Sequence, residues 1–365
     1  MTIKGLSDFV KKRFPYARRR VPVEFFRRKR VCIDGHLLSY AFMSTAIGKE
    51  AKKLLHARKV QVDTKLVTDS WLGRWLQEIT KLKEAGLIPV VVFDGPSVPP
   101  EKTATRAKRQ AGKENVREEA EKLRAVIAAE DLEVDIAARE RLVKLLARDI
   151  YVSQEQIHTL RKILLLAGVS VLQATGEGEA LCASLVKDGD CYATYTQDSD
   201  MGAYLSPRVI ISIDQATYTC DGQRVQMCEV IYYQQVMKQL ALSERQFVDF
   251  CIMCGSDYND NVPGAGPVKS YNLLQEFGTL DEVPSERYAK ESLNYTRIRE
   301  IFASSAVPAD GDPKTSPTPQ PAELSQLLAA TGLLKSGGRL LSMLGANEPK
   351  PLTTVAQCYD EAELL

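Results

Sequence analysis

The feature that most constrains this 365-residue chain is the alternation of short apolar runs with longer segments of helical periodicity. The runs are rich in Val, Ile and Tyr and are bounded by Gly, Asp or Pro, as buried strands are. They lie at residues 30–34, 88–94, 169–173, 191–196 and 208–213. This order predicts an α/β fold with a mostly parallel central sheet flanked by helices.

Acidic residues stand where the predicted elements end. They are Asp34, Asp94, Glu177, Glu179, Asp198, Asp200 and Asp257. The carboxyl ends of parallel strands line one crevice, and ligands bind there. A single such acid is most simply a helix cap or a solvated loop residue. Several in one crevice would repel one another, and their pKa values would rise unless cations neutralised them.

The chemistry of these side chains favours particular metal ions. Oxygen ligands without His or Cys suit Mg²⁺ or Mn²⁺, and seven carboxylates are too many for one octahedral ion that keeps its waters. Two ions a few Å apart can clamp the attacking and leaving oxygens of a phosphoryl displacement. The pattern therefore predicts a two-metal phosphoryl-transfer site.

An insert interrupts the alternation after the second predicted strand. Residues 101–152 are charged throughout and contain no strand candidate, so we expect a pair of helices that turns near 130–135. Lys102 and Arg109 are two helical turns apart and share one face. Such a face could point at a phosphate near Asp94, although a solvated basic helix has the same spacing.

Other signals mark the second half of the chain. Ser153 with Gln156, and Ser243 with Gln246, form capping-box patterns that predict two helix starts. Five prolines between residues 307 and 321 indicate a linker. The segment after it has too few patterned apolar residues for a core of its own, so we expect a loosely packed tail.

The charge is distributed unevenly. A formal net charge of +1 would by itself argue against a nucleic-acid partner. Residues 1–30, which we call the basic arm, nevertheless hold eleven basic and two acidic side chains, so they carry +9 against −8 for the rest. This asymmetry favours contact with an anion. The sequence contains no apolar run of about 20 residues, and we expect an intracellular protein without a membrane partner.

Five motifs follow one another along about residues 1–300. They are IDG…Y at 33–40, VFDG…PP at 92–100, GEGEALCASLVKDG, TQDSDM and QFVDFCIMCGSDYNDNVPGAGPVKS. Together they resemble the structure-specific 5′ nucleases, the family of flap endonucleases, their exonuclease relatives and the Rad2-like nucleases of the xeroderma-pigmentosum-G type. The layout is most like that of a flap endonuclease.

The resemblance implies roles for the motif residues. Two groups of acids would serve mainly one Mg²⁺ ion each, with Mn²⁺ as a substitute: Asp34, Asp94, Glu177 and Glu179 for one, and Asp198, Asp200 and Asp257 for the other. Lys102 and Arg109 match the family's two catalytic cations. Tyr40 matches the aromatic side chain on which a base stacks, and a core tyrosine is the alternative. Gly178 replaces the usual Ala between the two glutamates, a loss of about 1 kcal/mol in helix propensity.

The segment VPGAGPVKS is similar to the family's helix-two-turn-helix, which grips a duplex backbone. Gly264 and Gly266 would let backbone amides approach a phosphate, and Lys269 would add charge, so these three residues are expected to bind DNA. Many family members hold a monovalent cation in this hairpin, and its presence here is left open.

We therefore expect five regions. They are an N-terminal nuclease region (1–100), a helical arch (101–152), an internal nuclease region (153–242), a helix-two-turn-helix DNA-binding region (243–302), and a Pro-rich linker with a loosely ordered tail (303–365).

The expected function is that of a Mg²⁺-dependent DNA endonuclease and 5′–3′ exonuclease, which cleaves 5′ flaps or ends at duplex junctions in replication and repair. The alternatives are a mainly exonucleolytic or junction-resolving member, a non-catalytic DNA-binding scaffold, and a phosphatase of small molecules. The expected partner is DNA with a 5′ flap, a nick or a single-strand/double-strand junction, bound by a monomer. The tail lacks a sliding-clamp-binding pattern. The expected location is the nucleus, or a cytoplasmic replication site for a virus-encoded protein.

Overall fold

The computed structural model describes residues 3–55, 61–97, 99–129, 136–220 and 223–345. Its strands are β1 (Arg18–Pro22), β2 (Arg30–Asp34), β3 (Ile88–Phe93), β4 (Ser170–Ala174), β5 (Ala193–Tyr195), β6 (Arg208–Cys220), β7 (Gln223–Tyr232) and β8 (Pro308–Asp310). Its helices are α1 (Leu6–Arg13), α2 (Gly35–Lys53), α3 (Thr64–Glu84), α4 (Thr103–Ala129), α5 (Ile136–Leu146), α6 (Gln154–Leu166), α7 (Gly178–Lys187), α8 (Asp200–Ala203), α9 (Tyr233–Leu240), α10 (Glu244–Cys254), α11 (Pro267–Phe277), α12 (Tyr295–Ala303), α13 (Pro321–Ala330) and α14 (Leu334–Leu344).

The strands form one sheet in the order β1-β7-β6-β5-β2-β3-β4-β8. The five strands from β6 to β4 are parallel, whereas β1, β7 and β8 pair antiparallel. The predicted α/β fold with a mostly parallel sheet is confirmed. The chain runs outward from β2 through β3 to β4 and then crosses to β5 on the other side of β2. Ligands bind at such a reversal of strand order.

The central strands are buried on both faces. Alternate residues of β2 belong to different apolar clusters: Cys32 packs in one, and Val31 and Ile33 pack in the other. Successive side chains of a strand point to opposite faces, so both clusters need apolar residues from the same strand. This is why the predicted strands are continuous apolar runs rather than alternating ones.

Both predicted capping boxes are present. The hydroxyl of Ser153 accepts from the Gln156 N–H at the start of α6, and Ser243 accepts from the Gln246 N–H at the start of α10. The predicted helical insert is also present as α4 and α5, which bury an apolar stripe against the end of α2. The expected turn at 130–135 lies outside the described residues.

The end of the chain differs from the sequence-based expectation of a loosely packed tail. Helices α13 and α14 place Leu324, Leu328, Leu333 and Leu340 in the same buried cluster as Trp71 and Trp75 of α3. These leucines do not need a core of their own, because α14 packs against α3, and α13 packs against α6 and α14. Residues 346–365 lie outside the described part of the chain.

Among the described residues, none of the helices combines the length and the apolar character needed to cross a bilayer.

Candidate metal centre and nucleic-acid interface

Asp34 closes β2 at the strand-order reversal and also begins α2. Its Oδ1 accepts from the Leu37 N–H at 2.9 Å, and its Oδ2 accepts from the Thr196 hydroxyl at 3.5 Å. Asp34 is therefore a helix cap and a member of the carboxylate group at once. Thr196, just after β5, was not singled out in the sequence, and its place beside a strand-end Asp becomes visible only when β5 is set next to β2.

Asp94 follows β3 and contacts the N-terminus of α7. Its Oδ1 accepts from the Gly178 N–H at 2.8 Å, and a Cβ at Gly178 would lie 2.9 Å from that oxygen. The glycine thus allows this close approach. The Asp94 N–H donates to Nδ1 of His36 at 2.9 Å, and the same nitrogen lies 3.3 Å from Asp94 Oδ2. Sequence patterns do not single out His36, whose only signal is its place two residues after Asp34.

Glu179, Asp198 and Asp200 form the centre of the site. Ligand atoms of these three buried residues all lie within 4.8 Å of one another. The Asp200 N–H donates to Asp198 Oδ1 at 3.0 Å, which fixes the turn between them. Glu179 comes from the first turn of α7, so α7 and the loop after β5 together build this cluster.

Burial and repulsion between carboxylates raise the pKa values of four of the acids. Desolvation, together with the charge of Asp94, raises the pKa of Asp34 to about 7. Desolvation and the charge of Asp200 raise the pKa of Asp198 to about 8. The pKa values of Glu179 and Asp200 are raised well above their ordinary values by desolvation and by neighbouring carboxylates. Bound cations would favour the ionised forms and reverse these shifts.

Several buried carboxylate oxygens have no hydrogen-bond partner among the described residues. They are Glu179 Oε2, both Oδ atoms of Asp200, and Asp257 Oδ2. Buried polar atoms are normally satisfied, so such a group of orphaned oxygens needs an explanation. Hard divalent cations take oxygen ligands of this kind, and the donor set therefore fits them.

Two cations at the base of the insert contact the acids. Lys102 Nζ donates to Glu177 Oε2 at 2.6 Å and lies 3.9 Å from Asp257 Oδ2. Arg109 donates to Asp257 Oδ1 at 2.8 Å. Burial alone would lower the pKa of Lys102, but the nearby carboxylates Glu179 and Glu177, with Tyr258, raise it above its ordinary value. Lys102 is therefore a buried permanent cation.

Tyr40 lies on α2 beside the acids and is 38% exposed. Lys113 Nζ of α4 lies 5.6 Å from the centroid of its ring. Tyr40 lines a cavity of about 1510 Å³ together with Asp94 and Arg106. The ring is thus accessible at the edge of a large cavity with basic walls, which does not match the alternative of a core tyrosine.

The hairpin residues lie around a separate cavity. Gly264, Gly266 and Lys269 line a cavity of about 550 Å³ to which Arg287 also contributes. Gly264 has φ +74°, and Gly266 is the N-cap of α11. A Cβ at either glycine would meet no atom within 4 Å, so the glycines leave backbone exposed rather than avoid a clash. An exposed helix N-terminus of this kind can bind a phosphate.

The structure thus brings the seven acids together with Lys102 and Arg109 in one place, which we call the carboxylate crevice. Tyr40 lies at its edge, and the hairpin residues line a separate cavity. The Arg18–Arg20 part of the basic arm lies elsewhere, in β1. Arg18 pairs with Glu229 of β7, and Arg20 pairs with Asp214 and lies over the Tyr218 ring.

Comparisons with known proteins agree with this geometry. Residues 1–116 match the family profile described as the XPG N-terminal domain, and residues 168–257 match the XPG I-region. The chain is similar to flap endonuclease 1 of Ostreococcus lucimarinus, with 31% identity over 84% of this chain and 74% of that protein. Flap endonuclease 1 of Drosophila yakuba is 32% identical over 83% of this chain and 73% of that protein.

Solved structures share the fold. The catalytic core of Rad2 in complex with DNA substrate superposes with a TM-score of 0.63 at 20% identity and covers 92% of this chain and 99% of that one. Flap endonuclease-1 from Methanococcus jannaschii gives a TM-score of 0.57 at 23% identity, with 90% and 96% covered.

Proposed function

The chain belongs to the XPG family of structure-specific 5′ nucleases, and we propose that it cuts DNA at 5′ flaps or 5′ ends beside duplex junctions by divalent-metal-dependent hydrolysis. The observation that carries this proposal is the group of buried carboxylate oxygens without hydrogen-bond partners among the described residues. They lie beside Glu177 and Asp257, the two acids that Lys102 and Arg109 contact.

The seven acids would hold two Mg²⁺ ions, with Mn²⁺ as a substitute. We assign mainly one ion to Asp34, Asp94, Glu177 and Glu179, and the other to Asp198, Asp200 and Asp257. When bound, such a pair activates a water for in-line attack and stabilises the leaving 3′ oxygen.

Lys102 and Arg109 are the catalytic cations of this proposal. Both donate to carboxylates of the crevice, so they stand beside the place where the acids would hold the metal ions and a substrate phosphate would bind. There they would stabilise the charge that develops on the phosphoryl oxygens. The expected products carry a 5′-phosphate and a 3′-hydroxyl.

The remaining regions would bind the DNA. Tyr40 would stack on a base at the edge of the crevice, and the insert 101–152 would form an arch over the single-stranded 5′ end. Gly264, Gly266 and Lys269 of the helix-two-turn-helix region 243–302 would hold the duplex backbone, with or without a monovalent cation in the hairpin. We propose a monomer that acts in the nucleus, or at a cytoplasmic replication site for a virus-encoded protein.

The test is a cleavage panel. End-labelled flap, nick, gap, bubble and four-way-junction DNA are incubated with Mg²⁺, with Mn²⁺ or with EDTA, beside the Asp198→Asn variant. We expect Mg²⁺-dependent cleavage that is strongest on the flap and absent in the variant. Stronger cleavage of bubbles or four-way junctions would favour a junction-resolving enzyme.

A second result would reject the enzymatic proposal altogether. If the wild-type protein binds the flap but leaves it uncut, and Asp198→Asn behaves identically, the protein is a DNA-binding scaffold. The salt dependence of substrate binding distinguishes a nuclease from a phosphatase of small molecules. A nuclease binds many phosphates, so its affinity falls steeply between about 50 and 200 mM salt, whereas a phosphatase should be nearly indifferent to salt.

A further inference from the structure

The ammonium group of Lys102 has an aromatic neighbour as well as its acidic ones. Nζ lies 5.1 Å from the ring centroid of Tyr258, the residue after Asp257. This is within the distance at which a cation is attracted to the face of an aromatic ring, and the attraction is stronger where water is excluded. Lys102 is 3% exposed and Tyr258 is 6% exposed, so the contact is desolvated.

Tyr258 is itself held by groups behind the crevice. Its hydroxyl lies 2.5 Å from the hydroxyl of Tyr204, and both rings pack edge-on against Phe302 of α12, with centroids 5.4 Å and 5.0 Å away. The Tyr258 N–H donates to Ser256 Oγ at 3.1 Å. The ring is therefore held by hydroxyl and aromatic contacts outside the group of acids.

The two kinds of contact act differently on Lys102. A carboxylate such as Glu177 takes up one of the three ammonium donors and competes with a substrate phosphate for the cation. A ring face attracts the same cation electrostatically and consumes no donor. A lysine held by a ring can keep its place and still offer its donors to a phosphate.

We infer that Tyr258 is a positioning residue, which aims the Lys102 ammonium at the scissile phosphate through its ring face and is locked by Tyr204 and Phe302. This inference rests on the proposed function, because it assigns Lys102 to the chemical step. It adds a residue that contacts neither the substrate nor the reacting atoms.

The test compares three variants of the full chain. Tyr258→Leu removes the ring, Tyr258→Phe keeps the ring without its hydroxyl, and Tyr288→Leu removes another buried tyrosine, whose hydroxyl donates to the Met253 carbonyl. Single-turnover cleavage of a flap in Mg²⁺ measures the chemical step, binding of the flap in Ca²⁺ measures Kd, and thermal melting reports folding. We expect Tyr258→Leu to cleave roughly tenfold more slowly, with an unchanged Kd.

Two further comparisons separate positioning from a general structural role. Tyr258→Phe should recover most of the rate, and Tyr288→Leu should lower Tm without a tenfold loss of rate. In a Lys102→Ala background, Tyr258→Leu should cause no additional loss, because its effect acts through the lysine. Should Tyr258→Leu fail to fold, Tyr258→Met fills similar volume without an aromatic face and takes its place.

The inference is overturned if Tyr258→Leu cleaves as fast as wild type, if Tyr258→Phe is equally slow, or if the loss persists in the Lys102→Ala background. These results differ from a failure of the proposed function, in which the wild-type protein itself would leave the flap uncut.

Discussion

The carboxylate crevice and β1 of the basic arm both concentrate charge of one sign, but they differ in whether the charged groups have partners within the protein. In the crevice, Asp200 is fully buried and neither of its carboxylate oxygens has a hydrogen-bond partner among the described residues. In β1, Arg18 donates to Glu229 across the sheet, and Arg20 donates to Asp214.

This difference distinguishes charges that are paired within the protein from charges that would bind a ligand. Arg18 and Arg20 of β1 are paired with acids within the protein, so the number of basic residues in the arm says little about binding. Burial and neighbouring carboxylates raise the pKa values of Asp34, Glu179, Asp198 and Asp200. Perturbed acids of this kind cluster at functional sites, where a bound cation can balance the unfavourable charge. Buried charge without a partner is therefore a better indicator of function than the number of charged residues in a segment. The comparison can be tested both in the crevice and in β1.

The largest expected effect comes from removing one uncompensated charge. Asp200→Asn keeps the shape of the side chain and removes its negative charge. Loss of a metal-ligating charge removes several kcal/mol of transition-state stabilisation, so cleavage should fall by more than about 10³-fold. The metal-free variant should melt at the same temperature as wild type or higher, because repulsion in the crevice is relieved. A variant that cuts flaps normally, or that melts well below wild type, would contradict this account of the crevice.

The second expectation concerns stability and pH in the absence of metal. Asp34 and Asp198 have folded-state pKa values of about 7 and about 8, raised from 3.8. The folded protein therefore keeps protons that the unfolded chain has lost, and the contribution of these groups to stability falls as pH rises from about 4 to 8. Metal-free Tm should decline over this window, and Mg²⁺ should raise Tm more at pH 8 than at pH 6.

The matched control for this experiment is Asp198→Asn, which removes one of the two groups. Its Tm should decline less with pH than that of wild type. Identical slopes for the two proteins would show that the raised pKa of Asp198 does not govern stability.

A third and smaller effect concerns the hairpin residue Lys269. Lys269 is exposed beside Gly264 and Gly266, and neutralising one phosphate contact should reduce the slope of log Kd against log salt by about 1. Fluorescence anisotropy with flap DNA in Ca²⁺ measures this slope for Lys269→Ala. Lys335→Ala, at an exposed lysine of α14, is the control and should keep the wild-type slope. Equal slopes for the two variants would remove Lys269 from the interface.

The sequence was sufficient to predict much of the crevice. Asp34, Asp94 and Asp198 follow apolar strands, and a parallel sheet brings such strand ends together whatever the details of packing. Contacts such as that between Asp94 and His36 could not be predicted, because they depend on how α2 and α7 are placed against β3.

Among the parts of the fold that the sequence did not predict, β1 and the packing of α13 and α14 share one reason, because their signal lies in the elements that they contact. The run Arg18–Arg20 does not look like a strand until Glu229 and Asp214 are seen beside it. Helices α13 and α14 have too few patterned apolar residues for a core of their own. They pack instead on apolar surfaces of α6 and α3, which their own sequence does not reveal.

The smallest expected effect comes from Arg18 of β1, whose charge is paired within the protein. Arg18→Ala breaks a partly buried ion pair with Glu229, which should lower the free energy of unfolding by about 1 kcal/mol. The salt slope of flap binding should stay at the wild-type value, because the guanidinium already has a partner within the sheet. The double variant Arg18→Ala with Glu229→Ala should recover part of the lost stability, because no unpaired carboxylate then remains in the sheet. A slope reduced by about 1 in Arg18→Ala would instead place this part of the basic arm on the DNA, and charge pairing in the free protein would no longer separate the two regions.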